Sequence, residues 1–302
     1  MLDTPILFII YNRPDVTEKV FEKIREIKPK KIYVVADGPK DKYDHKLCLQ
    51  TRDKIKIDWK CDKKYLFREK NLGCKLNVSG AISWVLVKEK KIIILEDDTL
   101  PNLTFFPFCE ELLEKYENNK QIFSITGVNW QNGRKRGKGS YYFSCYPGIW
   151  GWATWRDRWE KFDVNLSDLE KRVQTKFLDY LTDLEEEKRF HLNNLFKTKN
   201  KEIDSWGFGW HFTFYKNKAF CVVPNFNLIS NIGFDNRATH TKQSNSWKAN
   251  QSTEKIKFPL IHPKKIIRNE QADHYLAKRN FLHKFSFFEK VISKINRIMN
   301  DL

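Results

Sequence analysis

The first hundred residues alternate short apolar runs with longer stretches in which apolar residues recur every three or four positions. The run at 6–11 is rich in β-branched residues, as expected for a strand buried on both faces, and the apolar runs at 32–36, 65–67 and 92–95 are predicted to be three further strands. The stretches between them are predicted to be helices. Strands that alternate with helices require crossover connections, and this predicts an α/β fold with a mostly parallel central sheet flanked by helices.

The remainder of the chain is less regular. Residues 105–116 are predicted to form a helix and 122–126 a strand, and a loop-rich stretch dense in Gly, Tyr and Trp follows at 127–159. Apolar and basic residues at helical spacing from about 275 to 302 predict a basic amphipathic helix at the C-terminal end. Three further elements are predicted, a helix at 166–196 and short strands at 220–224 and 228–232.

Charged residues follow the predicted strands at their carboxyl ends. Arg13, Asp37 and Arg68 come after the first three strands, and residues 96–98 (Glu-Asp-Asp) come after the fourth. Because ligands of an open α/β sheet bind beyond the carboxyl ends of the strands, these side chains are predicted to converge on one rim. Carboxylates suit a divalent cation and guanidinium groups suit the remaining negative charge, so the rim is typical of a site for a metal-bridged anion.

The acidic triplet is the sharpest local signal. Consecutive carboxylates repel one another, so three of them at a strand end are costly unless a cation or hydrogen-bond donors neutralise them. In an extended segment Glu96 and Asp98 share one side, and Asp97 is expected to face away. Oxygen ligands of this kind favour Mg²⁺ or Mn²⁺ over zinc. The alternative is an acidic turn or a helix N-cap ahead of Pro101.

Composition and charge narrow the choice of function. With 41% hydrophobic and 31% charged residues among 302, the chain is neither disordered nor collagen-like and can bury a sizeable core. Lys and Arg outnumber Asp and Glu by 55 to 38, and the net charge of +17 attracts nucleic acid, anionic lipid or phosphorylated small molecules. A solvated lysine-rich surface explains the same excess. No nucleic-acid-binding motif accompanies it, so no nucleic-acid partner is expected.

Cysteine usage and hydropathy bear on location. The six cysteines show neither a C-x-x-C pair nor zinc-ligand spacing, so free thiols in a reducing cytoplasm are expected. No stretch approaches the roughly 20 apolar residues of a membrane-spanning helix, and the N-terminus does not resemble a signal peptide. The C-terminal helix is expected either to adsorb peripherally to the inner face of the membrane or to pack on the chain's own surface.

Six sequence segments, in their order, carry a family resemblance. They are YNRP and ADGP after the first two strands, an R-x-x-N-L-G helix start, IIILEDDTLP, YPGIWGWATWRDRW and PNFNLISNIGFDNRATHT. Over about residues 2–273 they resemble bacterial GT-A glycosyltransferases similar to the Golgi enzyme N-acetylglucosaminyltransferase I. The resemblance implies a Rossmann-like GT-A domain with a nucleotide-sugar-binding half at 1–126 and an acceptor-binding half at 127–273, followed by the C-terminal helix at 274–302.

The family transfers a sugar from a nucleotide-diphosphate donor with the help of a divalent metal. For this chain the resemblance implies an inverting hexosyl- or N-acetylglucosaminyltransferase that uses a UDP-sugar, Mn²⁺ or Mg²⁺, and a hydroxyl of a glycan or lipid-linked acceptor in polysaccharide biosynthesis. Asp98 falls where the family binds metal. His240 falls on a late loop that closes over the diphosphate, unless it is an ordinary surface or core histidine. The residues predicted to bind the donor are Arg13, Asp37, Glu96, Asp97 and His240. Arg68 is added to them because it follows the third strand.

The catalytic base of the Golgi relative is an aspartate in a W-D-D-W segment. The corresponding stretch at 203–206 reads I-D-S-W, so Asp204 keeps the first carboxylate and Ser205 replaces the second. Aligning on the following tryptophans would instead place Gly207 at the acidic position. Asp204 is therefore the predicted base and Glu202 the fallback. The alternative for Asp204 is a surface aspartate in a loop.

Tryptophans are expected to form the acceptor site. Trp150 and Trp152 are predicted to stack on acceptor sugars, whereas Trp155 and Trp159 are expected to pack in the interior from a helix. Two other functions compete with glycosyl transfer. The first is non-enzymatic binding of an anionic ligand, either nucleic acid or a membrane surface. The second is sugar-nucleotide binding without turnover by a degenerate transferase, which the serine at position 205 favours.

Overall fold

Residues 1–235, 237 and 246–281 are described by the structure, a computed structural model. Their centre is an eight-stranded mixed sheet between helices, which confirms the predicted α/β class with a mostly parallel sheet. The strands in this part of the chain are β1 (Ile6–Ile10), β2 (Lys31–Ala36), β3 (Asp62–Phe67), β4 (Lys91–Glu96), β5 (Thr99–Pro101), β6 (Ile122–Thr126), β7 (Tyr141–Ser144), β8 (Trp152–Trp155), β9 (Phe220–Pro224) and β10 (Ile229–Asn231).

The chain winds outward from β1 and then reverses. β1 pairs in parallel with β2, and β2 with β3, before β4 is placed on the other side of β1. Beyond β4 the order continues β8-β6-β9-β7, with β8 antiparallel to both neighbours and β7 antiparallel to β9. β5 and β10 form a separate antiparallel pair. The reversal creates a topological switch point between β1 and β4, where open α/β sheets bind their ligands.

Side chains of β1 alternate between two cores. Phe8 faces a core that includes residues of α1 and α4, whereas Leu7 and Ile9 face a core that includes residues of α3 and α8. A central strand buried on both sides in this way explains why its sequence is a continuous apolar run. The helices of the described residues are α1 (Pro14–Ile27), α2 (Lys42–Asp53), α3 (Gly73–Leu86), α4 (Phe105–Lys115), α5 (Arg156–Trp159), α6 (Leu169–Gln174), α7 (Glu185–Lys199), α8 (Gly207–Asn217) and α9 (Glu270–Asn280), with a 3-10 helix at Phe177–Tyr180.

The sequence-based elements of the first half are confirmed. In the second half the strands predicted at 220–224 and 228–232 are confirmed as β9 and β10, whereas other elements need correction. The four apolar runs are β1 to β4, and the strand predicted at 122–126 is β6. The loop-rich stretch predicted at 127–159 is wrong in part, because it contains β7, β8 and α5. The helix predicted at 166–196 is broken into α6, the 3-10 helix and α7, and α8 has no counterpart in the prediction.

Most of the predicted C-terminal helix lies outside the described residues. α9 stops at Asn280, and residues 282–302 lie outside the described residues, so the amphipathic tail and its membrane contact stay predictions. Among the described residues no helix has the length and apolar character needed to cross a membrane. The six cysteines are free thiols.

Candidate functional site

A cleft of about 510 Å³ opens at the switch point between β1 and β4. One wall consists of the residues that follow β1, β2 and β4. The opposite wall comes from the segment before β8 and from the residues that lead into α8. Its charged lining residues are Arg13, Asp37, Lys40, Glu96, Asp97, Asp98, Asp204, Arg237 and Lys248. Acids and cations therefore meet at the edge of the sheet where a ligand is expected.

Arg13 joins two of the three acids. Its Nη2 lies 2.5 Å from Asp97 Oδ1 and 2.9 Å from Asp98 Oδ2, and its Nη1 donates to the carbonyl of Gly233 at 3.3 Å. The prediction that Asp97 faces away is wrong, since β4 ends at Glu96 and the next two residues form a turn. That turn brings both aspartates to the same guanidinium.

The backbone after β10 lies directly against this ion pair. A Cβ at Gly233 would overlap both Asp98 Oδ2 and Arg13 Nη1, so only a glycine fits at this position without a shift. The carbonyl of the same residue accepts the hydrogen bond from Arg13. The segment after β10 thus depends on the β1 and β4 ends for its position.

Burial and mutual repulsion disfavour the charged forms of the acids at 96–98, and a bound cation would stabilise those charged forms. Burial raises the pKa of Glu96 to about 8, and the nearby Asp98 and Asp97 charges add to the rise. Burial also raises the pKa of Asp97, which the Arg13 charge opposes. Arg13 thus supplies, at the carboxyl end of β4, the positive charge that a metal ion could also supply.

The carboxylates of the cleft could hold a divalent metal ion only with further ligands. In the described part of the chain, no three or more His, Cys, Asp and Glu side chains are grouped so as to hold an ion by themselves. Mg²⁺ sites in phosphate-binding enzymes typically use only one or two carboxylates, and substrate oxygens and water supply the rest. Asp98 and Glu96 fit such a shared site, because both line the cleft and, in the described part of the chain, Arg13 is the basic group that acts on them.

Asp37 is saturated by hydrogen bonds from the protein. Its Oδ1 accepts from the amides of Gly38 and Leu72, both at 2.9 Å. Its Oδ2 accepts at 3.1 Å from Asn71 Nδ2 and from the Gly73 amide. Two oxygens offer about four acceptor positions, so no position is left for a nucleotide hydroxyl or imide. The predicted direct contact of Asp37 with the donor is therefore corrected to positioning of the segment that begins α3.

Arg68 does not line the cleft. Arg68 Nε donates to Asn77 Oδ1 at 3.0 Å, and the Arg68 carbonyl accepts from Arg52 Nη2 at 3.1 Å. Arg68 is not among the residues that line the cleft, so its predicted donor contact is corrected to support of the α3 side of the wall. His240 lies outside the described residues, and its role stays a prediction.

Asp204 reaches across the cleft to the start of α3. Its Oδ2 accepts from the Cys74 amide at 2.9 Å and its Oδ1 from the Lys75 amide at 3.1 Å. Unlike Asp37, each oxygen accepts one bond and keeps a second acceptor position, and the side chain lines the cleft. Helix N-termini stabilise carboxylates in this way. Asp204 and the fallback residue Glu202 are both exposed in the segment between α7 and α8, but Glu202 is not part of the lining.

The two predicted acceptor tryptophans differ. Trp150 lines the cleft and packs edge-on against Trp130 and Phe234, with ring centroids 5.5 Å and 5.7 Å away. Trp152 is fully buried in β8 and stacks on Trp206 at 5.5 Å. The prediction for Trp152 is therefore wrong, because a side chain with no exposed surface cannot stack on an acceptor.

The other two tryptophans of this segment are interior, as expected. Trp155 and Trp159 are both buried. Trp155 belongs to β8 rather than to a helix, and its Nε1 donates to the Leu113 carbonyl at 3.0 Å. Both side chains pack the sheet against its helices.

Three cations of the cleft were missed by the sequence analysis. Arg237 forms a bidentate pair with Asp15 at 2.8 and 2.9 Å. Lys40 follows the A-D-G-P segment directly, so its position was available from the motif. Lys248 Nζ lies 4.9 Å from the ring centroid of Trp130, and no local pattern marks that residue.

Comparisons with known proteins give distant likenesses only. No family model matches the chain, and no curated protein matches it. A mannosyltransferase from Pyrobaculum calidifontis, in complex with GDP-Man and Mn²⁺, is 14% identical with a TM-score of 0.34 over 54% of this chain and 50% of its own. This chain thus spans about half the length of that one.

Two further solved structures show a similarly low level of likeness to this chain. A UDP-glucose pyrophosphorylase complexed with UDP-glucose is 9% identical with a TM-score of 0.37, over 74% of this chain and 90% of its own. A 4-diphosphocytidyl-2C-methyl-D-erythritol synthase from Anaerococcus prevotii is 12% identical with a TM-score of 0.33, over 52% and 76%. Likenesses this weak carry no argument about the activity of this chain.

Proposed function

We propose that this chain is a glycosyltransferase that moves a sugar from a UDP-sugar to a hydroxyl of a glycan or lipid-linked acceptor. The observation that carries the proposal is the position of Arg13, Asp97 and Asp98. Arg13 follows β1 and the aspartates follow β4, so the charges flank the switch point at which such sheets bind ligands. A diphosphate and a divalent cation together match this pairing of a guanidinium with carboxylates.

In this proposal the donor end of the cleft handles the diphosphate. Asp98, with Glu96 beside it, would hold Mn²⁺ or Mg²⁺. When bound, the metal supplies charge neutralisation for the departing nucleoside diphosphate. Arg13 would exchange part of its bond with Asp98 for a phosphate oxygen. Asp97 would keep the guanidinium in the cleft during that exchange, because it is the closer of its two partners.

The opposite wall would handle the acceptor. Asp204 would accept the proton of the attacking hydroxyl at an oxygen position that the α3 amides leave open. Trp150 would offer a ring face or edge to the acceptor sugar beside it. Attack by the hydroxyl in a single displacement would invert the anomeric centre.

Ligand binding and donor hydrolysis test the proposal. Thermal unfolding is followed with UDP, with Mn²⁺ and with both, and then with single-stranded RNA at physiological salt. We expect the largest rise in Tm with UDP and Mn²⁺ together. Hydrolysis of UDP-, GDP- and CMP-sugars with and without Mn²⁺ then identifies the donor. Stabilisation by RNA alone, with no hydrolysis of any donor, would refute the proposal.

One observation favours a second candidate function, sugar-nucleotide binding without turnover. Both oxygens of Asp204 already accept backbone hydrogen bonds, and Ser205 stands where the Golgi relative has a second acid. A protein of this kind would bind UDP with Mn²⁺ and hydrolyse no donor. The hydrolysis screen separates the two candidates.

A further inference from the structure

Arginine and aromatic side chains cluster beside the cleft. Arg279 lies with its guanidinium carbon 3.8 Å from the ring centroid of Trp247, and Arg134 and Arg136 lie 4.5 and 5.7 Å from the ring of Tyr275. Arg279 Nη1 also donates to Tyr275 Oη at 3.2 Å. We call this cluster the arginine–aromatic patch and define it as Trp130, Arg134, Arg136, Trp247, Lys248, Tyr275 and Arg279.

The patch is continuous with the cleft. Lys248 lines the cleft, and its Nζ lies 4.9 Å from the ring centroid of Trp130 and 5.5 Å from that of Trp247. Trp130 in turn contacts Trp150, the tryptophan of the cleft wall, at 5.5 Å between centroids. A chain molecule that leaves the cleft along Trp150 would therefore meet the patch next.

The basic loop of the patch is held in place by buried amides. Asn225 accepts from the Arg136 amide at 2.7 Å and donates to the Arg136 carbonyl at 3.0 Å. Gln131, which is buried, accepts from Arg136 Nε at 2.8 Å and donates to the Ala272 carbonyl of α9 at 3.1 Å. Because the loop is already ordered, a ligand would not have to immobilise it.

The three arginines of the patch are not neutralised by acids in the described structure. The sequence contains no Asp or Glu from 118 to 156, a span that includes the whole basic loop. Among the described residues, Arg134, Arg136 and Arg279 form no ion pair, and their contacts are with rings, Gln131 and the Tyr275 hydroxyl. A guanidinium that stacks on a ring keeps N–H groups at its edge for a carboxylate or phosphate.

We propose that the arginine–aromatic patch binds acceptor saccharides whose sugar units carry carboxylate or phosphate groups, so that the acceptor is a polyanionic glycan. This inference rests on the proposed function, since it gives the cleft its acceptor. Single-stranded nucleic acid fits the patch less well, because bases need open aromatic faces and the cations already lie over Trp247 and Tyr275.

Paired charged and neutral saccharides test the inference. The probes are hexagalacturonate against its methyl ester, and phosphorylated maltoheptaose against maltoheptaose, titrated calorimetrically at about 0.15 M salt. We expect at least one charged probe to bind about tenfold or more tightly than its neutral partner. The charged member that binds identifies the anionic group.

Two charge-matched variants localise the binding. Arg134→Gln with Arg136→Gln should weaken binding of the charged probe by about tenfold or more, since two charge-assisted contacts are lost. Lys63→Gln with Lys64→Gln removes the same charge from exposed β3, at the opposite edge of the sheet, and should change binding by less than about twofold. If the double patch variant does not fold, exposed Arg134→Gln alone replaces it.

Several outcomes would overturn the inference. They are equal binding of charged and neutral probes, equal losses in both variant pairs, no loss in the patch variant, or tighter binding of a short oligouridine than of either charged saccharide. The rise in Tm with UDP and Mn²⁺ is measured on the same samples. If that rise is present and the saccharides fail, the inference falls and the proposed function stands. If the rise is absent, the proposed function falls, and the patch is no longer an acceptor site.

Discussion

The donor end of the cleft and the arginine–aromatic patch hold their charges in opposite ways. At the donor end Arg13 pairs with Asp97 and Asp98, and Asp37 is surrounded by hydrogen-bond donors of the protein. In the patch the described contacts of the arginines include no acid. A ligand at the donor end must therefore exchange partners with the protein, whereas a ligand at the patch meets arginines that form no ion pair with a described carboxylate.

This difference has a consequence for binding. Exchange of an internal ion pair returns little net free energy unless the incoming groups replace both charges at once. A cation without a diphosphate, or a diphosphate without a cation, would leave either Arg13 or the aspartates poorly paired. Binding of the two together is thus expected to be strongly cooperative at the donor end, and binding at the patch is expected to follow ligand charge and salt.

The largest expected effect is a loss of turnover on substitution of Asp204, whose carboxylate keeps open acceptor positions, unlike that of Asp37. Asp204→Asn keeps an acceptor oxygen for the α3 amides and removes the carboxylate that would take the proton. Turnover should fall by about 10²–10⁴-fold, while UDP affinity stays within about twofold. Steady-state kinetics and UDP titration measure the two quantities. Ordinary turnover in Asp204→Asn would show that Asp204 is an internally engaged acid like Asp37.

The next effect compares one substitution in the two regions. Arg13→Gln leaves the buried Asp97 and the half-buried Asp98 without a counter-charge, and the free energy of unfolding should fall by about 3–4 kcal/mol. Arg134→Gln, at an exposed position, should change it by less than about 0.5 kcal/mol. Urea denaturation measures both, and Mn²⁺ should restore part of the stability of the Arg13 variant. Equal losses in the two variants would contradict the comparison.

A smaller effect concerns His211 of α8, on which the charge of the patch residue Lys248 acts. Burial lowers the pKa of His211 to about 4, and the charges of His191 and Lys248 act in the same direction, against its hydrogen bond to the Gly207 carbonyl. The unfolded chain therefore binds a proton near the usual pKa of about 6.5, whereas the folded chain does so only near pH 4. Stability should fall by roughly 2–3 kcal/mol between pH 7 and pH 4 from this group.

His211→Asn tests that contribution. The amide keeps a donor for the Gly207 carbonyl and does not titrate in this range. Urea denaturation at intervals from pH 7 to pH 4 should show a shallower loss of stability in the variant than in the parent protein. Parallel profiles for the two proteins would exclude His211 as a source of acid sensitivity.

Local pattern was sufficient for β1 to β4 and for β6, β9 and β10, but not for β7 and β8. β1 and β4 are buried on both faces, so their sequences are continuous apolar runs. β8 is a four-residue strand inserted between β4 and β6, and its pairing partners are remote in the sequence. Short strands with remote partners and a Gly- and Trp-rich sequence leave no local period to detect. The division of the chain near residues 126 and 273 stays a prediction.

The site shows the same limit at the level of single residues. Strand ends placed Arg13 and the acidic triplet on one rim, because topology alone decides which ends share an edge. The saturation of Asp37 depends on amides of Leu72 and Gly73, which another crossover brings to it. The burial of Trp152 depends on Trp206, more than fifty residues away in the sequence. Such contacts are set by tertiary packing.

The central claim is that the acids after β4 bind a divalent cation together with the diphosphate of a nucleotide. Crystals soaked with Mn²⁺ and UDP, and measured at the manganese absorption edge, test it most directly. The account predicts an anomalous peak in the cleft between the Asp98 carboxylate and the UDP phosphates, with Arg13 turned toward a phosphate oxygen. An anomalous peak elsewhere, with Asp97 and Asp98 still paired to Arg13 and UDP bound outside the cleft, would contradict it.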